Sequence, residues 1–245
     1  MTLTILDSGS RANGYVLHNA EEAIVLECGC TYERCLKAID YKRRKIVGAF
    51  VTHEHGDHSR YIEQYLRAAI PTYTSAGTLS NLNLKGPIKP KTIDTFKEVK
   101  VGGFTVMAFD TQHDCDEPIG FLIHHEEMGV LLFATDTYYL KYKFDDLNHI
   151  MIECNYDRKI IDDNVANGII KSFVRDRVMR SHMSLETTIS TLKANDLTGV
   201  NNIVLLHLSG NNSDSDMFKQ AVEESIGKIV CIARKDVSLS LNKTF

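Results

Sequence analysis

The chain has 245 residues, 43% of them hydrophobic and 24% charged, an ordinary balance for a soluble globular protein. That length suits a single domain over residues 1–245, which would bury roughly 70–75% of the surface of its unfolded chain and need no staples. A formal net charge of -4 excludes a protein that coats nucleic acid by bulk electrostatics, though not a nuclease with a local basic track, and no apolar run reaches the ~20 residues of a membrane span.

The opening stretch, Met1 to Asp7, has neither a basic nor a long apolar region, so a cytoplasmic location is expected. Leu3 to Leu6, Tyr15 to His18 and Ala23 to Glu27 read as short strands between polar or glycine-containing turns. Tyr32 to Ile39 reads as a helix and Lys45 to Thr52 as a strand. Ser59 to Ala69 then reads as one helix with Ile62, Tyr65, Leu66 and Ala69 on a single face. Phe104 to Phe109, Gly120 to His124 and Val130 to Ala134 are strands, the last two joined by a hairpin turn at Glu126 to Gly129. Ile150 to Cys154 and Asn202 to His207 are strands. Ser184 is the expected N-cap of a helix carrying Leu185, Ile189 and Leu192. Ser213 to Ile226 is an amphipathic helix stopped by Gly227, and strands over Lys228 to Ala233 and Val237 to Leu241 close the chain. Mixed sheets packed face to face with helices outside would fit this order. Cys28, Cys30, Cys35, Cys115, Cys154 and Cys231 form neither a zinc knuckle nor a disulfide framework, which suits reduced thiols in the cytoplasm.

The run His53-Glu54-His55-Gly56-Asp57-His58 carries the chemistry. It follows an apolar strand, and in extended geometry His53 and His55 project to one side. Asp57 and His58 stand at the start of the next helix and can face a second point. The run therefore offers two ligand pairs, in imidazole nitrogen and carboxylate oxygen suited to Zn, Mn or Fe. Further ligands belong at other strand ends, where His113, Asp136 and His207 all fall. His18, His124, His125 and His149 have no such context and read as structural or solvent-facing.

With those residues in place the chain resembles the metallo-β-lactamase superfamily over essentially its whole length. The pattern is H-x-H-x-D-H, a later histidine, the aspartate of Ala134-Thr135-Asp136-Thr137, and the histidine of Leu206-His207-Leu208-Ser209. The resemblance implies a four-layer αβ/βα sandwich of two mixed sheets and two divalent metal ions, Zn or Mn. His53, His55 and His113 would hold one ion; Asp57, His58 and His207 the other, with Asp136 bridging. The opening Ser8-Gly9-Ser10-Arg11-Ala12-Asn13, then Glu153-Cys154-Asn155, and Arg177 through His182-Met183-Ser184, look like the YycJ/WalJ-type exonuclease branch. His182 is also similar to the phosphate-facing histidine of ribonuclease Z-like phosphodiesterases. Two positions depart from the pattern: Glu27 where relatives usually carry Asp, and Ser181 where glycine is common.

The expected function is a two-metal phosphodiesterase, most simply a DNA exonuclease, 5′ to 3′ by resemblance. A hydroxide bridging the ions would attack the phosphodiester. Asp57 would orient it, His182 would stabilise charge or protonate the leaving oxygen, and Glu153 would orient His182. Ser10, Asn13, Arg177 and Ser184 are the expected substrate contacts, and DNA is the expected partner. Arg158 to Arg180 reads equally as a phosphate track or a solvated helix face. The resemblance also leaves room for a homodimer. Alternative substrates are a small or cyclic phosphodiester and, with less support, a thioester.

Overall fold

The computed structural model describes residues 1–243. In chain order the first half contributes β1 (Thr2–Asp7), β2 (Gly14–His18), β3 (Ala23–Leu26), α1 (Tyr32–Ala38), β4 (Ile46–Phe50), α2 (Gly56–Ser59), α3 (Ile62–Arg67), β5 (Thr72–Thr74), α4 (Ala76–Asn81) and β6 (Lys91–Thr92). The second contributes β7 (Glu98–Val101), β8 (Phe104–Asp110), β9 (Ile119–His125), β10 (Gly129–Ala134), β11 (Leu147–Glu153), α5 (Arg158–Ala166), α6 (Ser172–Ser181), α7 (Leu185–Ala194), β12 (Asn202–Leu206), α8 (Ser215–Ile226), β13 (Val230–Ile232) and β14 (Val237–Ser240).

Two seven-stranded sheets result, ordered β14-β1-β2-β3-β4-β5-β6 and β13-β12-β11-β10-β9-β8-β7. Each is antiparallel at one end and parallel at the other. In the second sheet β7 to β10 pair antiparallel, while β10, β11, β12 and β13 run parallel. Parallel strands must be covered on both faces, and their sequences show it. In β12, Val204 and Leu206 enter the core between the sheets, while Ile203 and Leu205 face α7 and α8. In the first sheet, Leu3, Ile5, Tyr15 and Leu17 point into the same inter-sheet core. Val16 and Val25 point out, against Cys35, Ile62, Tyr65 and Leu66 of α1 and α3. The layers are therefore helices, sheet, sheet, helices, the sandwich expected from the sequence.

Helix ends follow local chemistry. Ser184 caps α7 by accepting from Thr187 N, and Asp214 caps α8 by accepting from Asp216 N and Met217 N. Gly227 ends α8 at φ 68°, a left-handed turn that costs glycine little. The stretch expected as one helix from Ser59 to Ala69 is two, α2 and α3, broken at Arg60 and Tyr61. Ala69 lies beyond the end of α3, exposed and at φ 57°, not on its apolar face. Strand β4 stops at Phe50, so His53 and His55 sit on a loop. Of the histidines read as structural, His18 pairs with Thr4 Oγ1, His125 with Glu22 and His149 with Asn202, while His124 is exposed. Among the described residues no helix is long and apolar enough to cross a membrane.

Phe218 of α8 is fully buried against the outer face of β11 and β12. Phe218→Ala is expected to lower stability by about 3–5 kcal/mol. The check is a fall in denaturant midpoint with an unchanged slope. A change of only about 0.5 kcal/mol, the size of a surface substitution, would contradict this packing.

Candidate metal centre

Six of the ten histidines gather where the strands of both sheets end. Three loops are first knitted together by their backbones. Asn13 N donates to Asp57 O at 2.8 Å, Gly29 N to Asn13 O at 3.0 Å and Cys28 N to His58 O at 2.7 Å. Gly29 permits this approach, because a Cβ there would stand 1.6 Å from the carbonyl oxygen of Asp57. Three residues just past strand ends, Glu27, Asp136 and His207, adopt left-handed backbone at φ 66°, 45° and 53°. Such conformations cost about 1–3 kcal/mol each and persist only where surrounding contacts hold them. Here they turn a carboxylate or an imidazole inward at the mouth of a strand.

His53, His55 and His113 form the first group. Thr52 Oγ1 donates to Glu27 Oε1 at 2.6 Å and accepts from His53 Nδ1 at 2.9 Å, so His53 presents a bare Nε2. His113 Nδ1 donates to Ser181 O at 2.7 Å, which likewise bares its Nε2. Both nitrogens lie 3.1 Å from His55 Nδ1. At most one of the three can carry a proton toward its neighbours, and a divalent cation would suit such a cluster of imidazole nitrogens. The spacing is close to the edge, about 3.3 Å, of a tetrahedron with ~2.0–2.1 Å metal–nitrogen bonds.

Asp57, His58, Asp136 and His207 form the second group. Asp57 Oδ2 lies 3.2 Å from His58 Nε2 and 3.4 Å from His207 Nε2. Asp136 Oδ2 lies 3.3 Å from His58 Nε2, 3.6 Å from His113 Nε2 and 3.9 Å from His53 Nε2, so one oxygen faces both groups. Glu27 Oε1, 3.4 Å from His58 Nδ1, backs the ring from behind. Glu27 reaches Thr52 and His58 from its left-handed backbone.

The electrostatics favour positive charge. Burial opposes ionisation throughout, but Asp136 and Glu27 hold the His58 imidazole well above its usual pKa, and Asp136 with Asp57 pushes His207 up to about 10. Burial would raise Asp57, yet hydrogen bonds from His207 and His58 keep it far below the usual carboxylate range. Burial and the neighbouring His58 charge press His53 well below its usual value, leaving it neutral as a ligand must be. The residues present thus fit divalent cations.

Glu153 is fully buried beside this cluster. Its Oε1 lies 2.6 Å from His182 Nδ1, and its Oε2 accepts from Thr137 N at 2.8 Å and Met183 N at 3.1 Å. Glu153 could join a third ligand group with Asp136, His182 and His207, but its oxygens are already occupied. His182 ends α6 and stacks on His207 with ring centroids 5.3 Å apart. Asn155 Nδ2 donates to His207 O at 2.8 Å.

The four expected substrate contacts separate. Ser10 and Arg177 are exposed. Asn13 is turned inward instead: it is completely buried, and its Nδ2 donates to Asp57 Oδ2 at 3.2 Å and lies 3.0 Å from His58 Nε2. Ser184 is also buried, its hydroxyl spent on the cap of α7. Sequence reasoning missed Thr52 and Thr137, whose roles depend on partners distant in sequence. It also missed Asp114, whose Oδ1 lies 3.2 Å from His113 Nε2. The adjacent His113-Asp114 pair was the available signal.

Fold and site together define a metal-dependent hydrolase of the metallo-β-lactamase type. The sequence matches the β-lactamase superfamily domain over residues 31–208, and the chain belongs to this superfamily. It is similar to exodeoxyribonuclease YycJ of Bacillus anthracis, 24% identical over 233 residues covering 90% of this chain and 87% of that protein. Among solved structures it resembles zinc-bound PqqB from Methylobacterium extorquens, with a TM-score of 0.71, 15% identity and coverage of 98% and 100% of the two chains. It also resembles the short form of human tRNase Z, with a TM-score of 0.63, 18% identity and coverage of 98% and 99%.

Gly29→Ala is expected to displace Asp57 and His58 and to sharply reduce retained metal, measured by elemental analysis after desalting. Gly86→Ala, where an added Cβ meets nothing within 4 Å, should retain metal like the parent. Equal retention in both variants would contradict the described approach of the two loops.

Proposed function

We propose that this chain is a two-metal phosphodiesterase that shortens DNA from an end, with 5′ to 3′ polarity by resemblance. One observation carries the reading. His182 is held against the cluster of candidate ligands by a buried carboxylate, yet keeps 12% of its side chain exposed. Such a donor beside the candidate ligands could protonate the leaving oxygen of a phosphodiester. The similarity to an exodeoxyribonuclease supports DNA as the substrate.

In this reading His53, His55 and His113 would hold one ion, Asp57, His58 and His207 would hold the other, and Asp136 would contribute to both. Zn or Mn held there would supply Lewis-acid stabilisation of charge on the attacked phosphate and a more acidic water. The chain's own residues do the rest. Glu153 accepts the Nδ1 proton of His182 and fixes the ring, leaving Nε2 to face the substrate. Burial disfavours the imidazolium, but the Glu153 charge and hydrogen bond raise the pKa of His182, which favours the protonated ring. It can therefore stabilise a developing phosphorane charge and pass a proton to the leaving oxygen. Asn13 and Asn155 brace Asp57 and His207 from outside the cluster.

His182→Ala is expected to lower turnover about 10²- to 10⁴-fold while both ions stay bound. Loss of metal in that variant would show that His182 is a ligand and overturn its assigned role. DNA labelled at the 5′ or 3′ end, single-stranded and duplex, with Mn or Zn added, tests the substrate. Stepwise loss of nucleotides from one end, abolished by Asp136→Ala, is the expected result. No cleavage of any polymer by protein holding two ions would replace DNA with a small phosphodiester.

A further inference from the structure

We propose that the exposed stripe Phe173-Arg177-Arg180 on α6 is the binding track for a single-stranded polynucleotide whose scissile phosphate lies at His182. This rests on the reading of the site as a nuclease and adds where the strand runs. Residues 173, 177 and 180 are spaced four and three apart, so they share one helix face. They are exposed, and Phe173 leaves 66% of its surface in solvent. A lone ring this exposed contributes little to folding.

The charges on the stripe are free. Arg175 engages the neighbouring carboxylates, Asp162 at 3.3 Å and Asp176 at 2.8 Å. Among the described residues neither Arg177, Arg180 nor Lys171 has an ion-pair partner; Arg180 Nε donates only to Asp176 O. Lys171 Nζ lies 5.9 Å from the centre of the Phe173 ring, which adds a third cation to the start of the track. On a chain of net charge -4 this is a local positive strip.

The strip leads to the centre. Arg177 lies one turn before Ser181, which donates to Arg177 O at 2.8 Å and whose own carbonyl holds His113. The next residue, His182, is fixed by Glu153. At 1.5 Å per residue the stripe from Phe173 to Arg180 is about 10 Å long, and it ends within a turn of the candidate ligands. An aromatic face followed by guanidinium groups matches a ligand that alternates flat bases with phosphates. It also requires bases free to stack, hence a single strand. A mononucleotide would reach only the His182 end.

The test is anisotropy titration of fluorescein-labelled phosphorothioate oligothymidylate, about eight nucleotides long, with the metal-loaded protein at several salt concentrations. Phe173→Ala is expected to weaken binding about 5- to 150-fold, the worth of one stacked base, without changing the salt slope. Arg177→Gln with Arg180→Gln is expected to reduce that slope by about 1.4, roughly 0.7 for each phosphate released. A parent protein that degrades DNA while both variants bind like it would overturn the track alone. A parent protein that binds no oligonucleotide would overturn the track together with the nuclease reading.

Discussion

Asp136 is a carboxylate with only 3% of its surface exposed, and it survives there because imidazoles surround it. Its Oδ2 lies within 4.0 Å of nitrogens from His53, His58, His113 and His182. Burying a lone carboxylate is costly, and the usual response is to take up a proton. Burial does push Asp136 that way, but the positive charge of His207 and His58 reverses the outcome and keeps it ionised. Everything near the strand ends serves this balance. Carboxylates and imidazoles offset one another, and the lone pairs left over point to where cations fit.

Holding such a cluster requires a rigid frame, which the sheets supply. β3, β10 and β12 come from both sheets, and each delivers a residue in left-handed backbone just past its end. The strands beneath are buried on both faces, and that packing holds these conformations in place. Glu153 does the same work for the outer wall. With two backbone N–H groups and His182 on its oxygens, it joins the segment after Asp136 to the end of α6. One buried carboxylate therefore sets the position of His182 and of the helix that leads to it.

Much of this was legible in the chain. The H-x-H-x-D-H run, His113, Asp136 and His207 stand out as candidate ligands because imidazole and carboxylate commonly bind metals and strand ends converge. The pairing of Glu153 with His182 was expected from the sequence and is present at 2.6 Å. The broken helix after His58 was not, because Ile62, Tyr65 and Leu66 keep helical spacing whether or not the chain breaks at Arg60. The inward turn of Asn13 was also hidden. Its loop is polar and glycine-containing, which suits a substrate loop as well as a buried brace.

By itself the sequence determined the alternation of apolar residues that makes two covered sheets, and the kinds of atom offered to a metal. These are local properties, set by side-chain chemistry and by periods of two and 3.6 residues. Only the tertiary structure decided which nitrogen of His53 and His113 is bare and which oxygen of Asp136 faces both groups. It also decided that Gly29 must let two loops pass. Those facts depend on contacts between residues such as Thr52 and Glu27, or Glu153 and Thr137, that no spacing along the chain encodes.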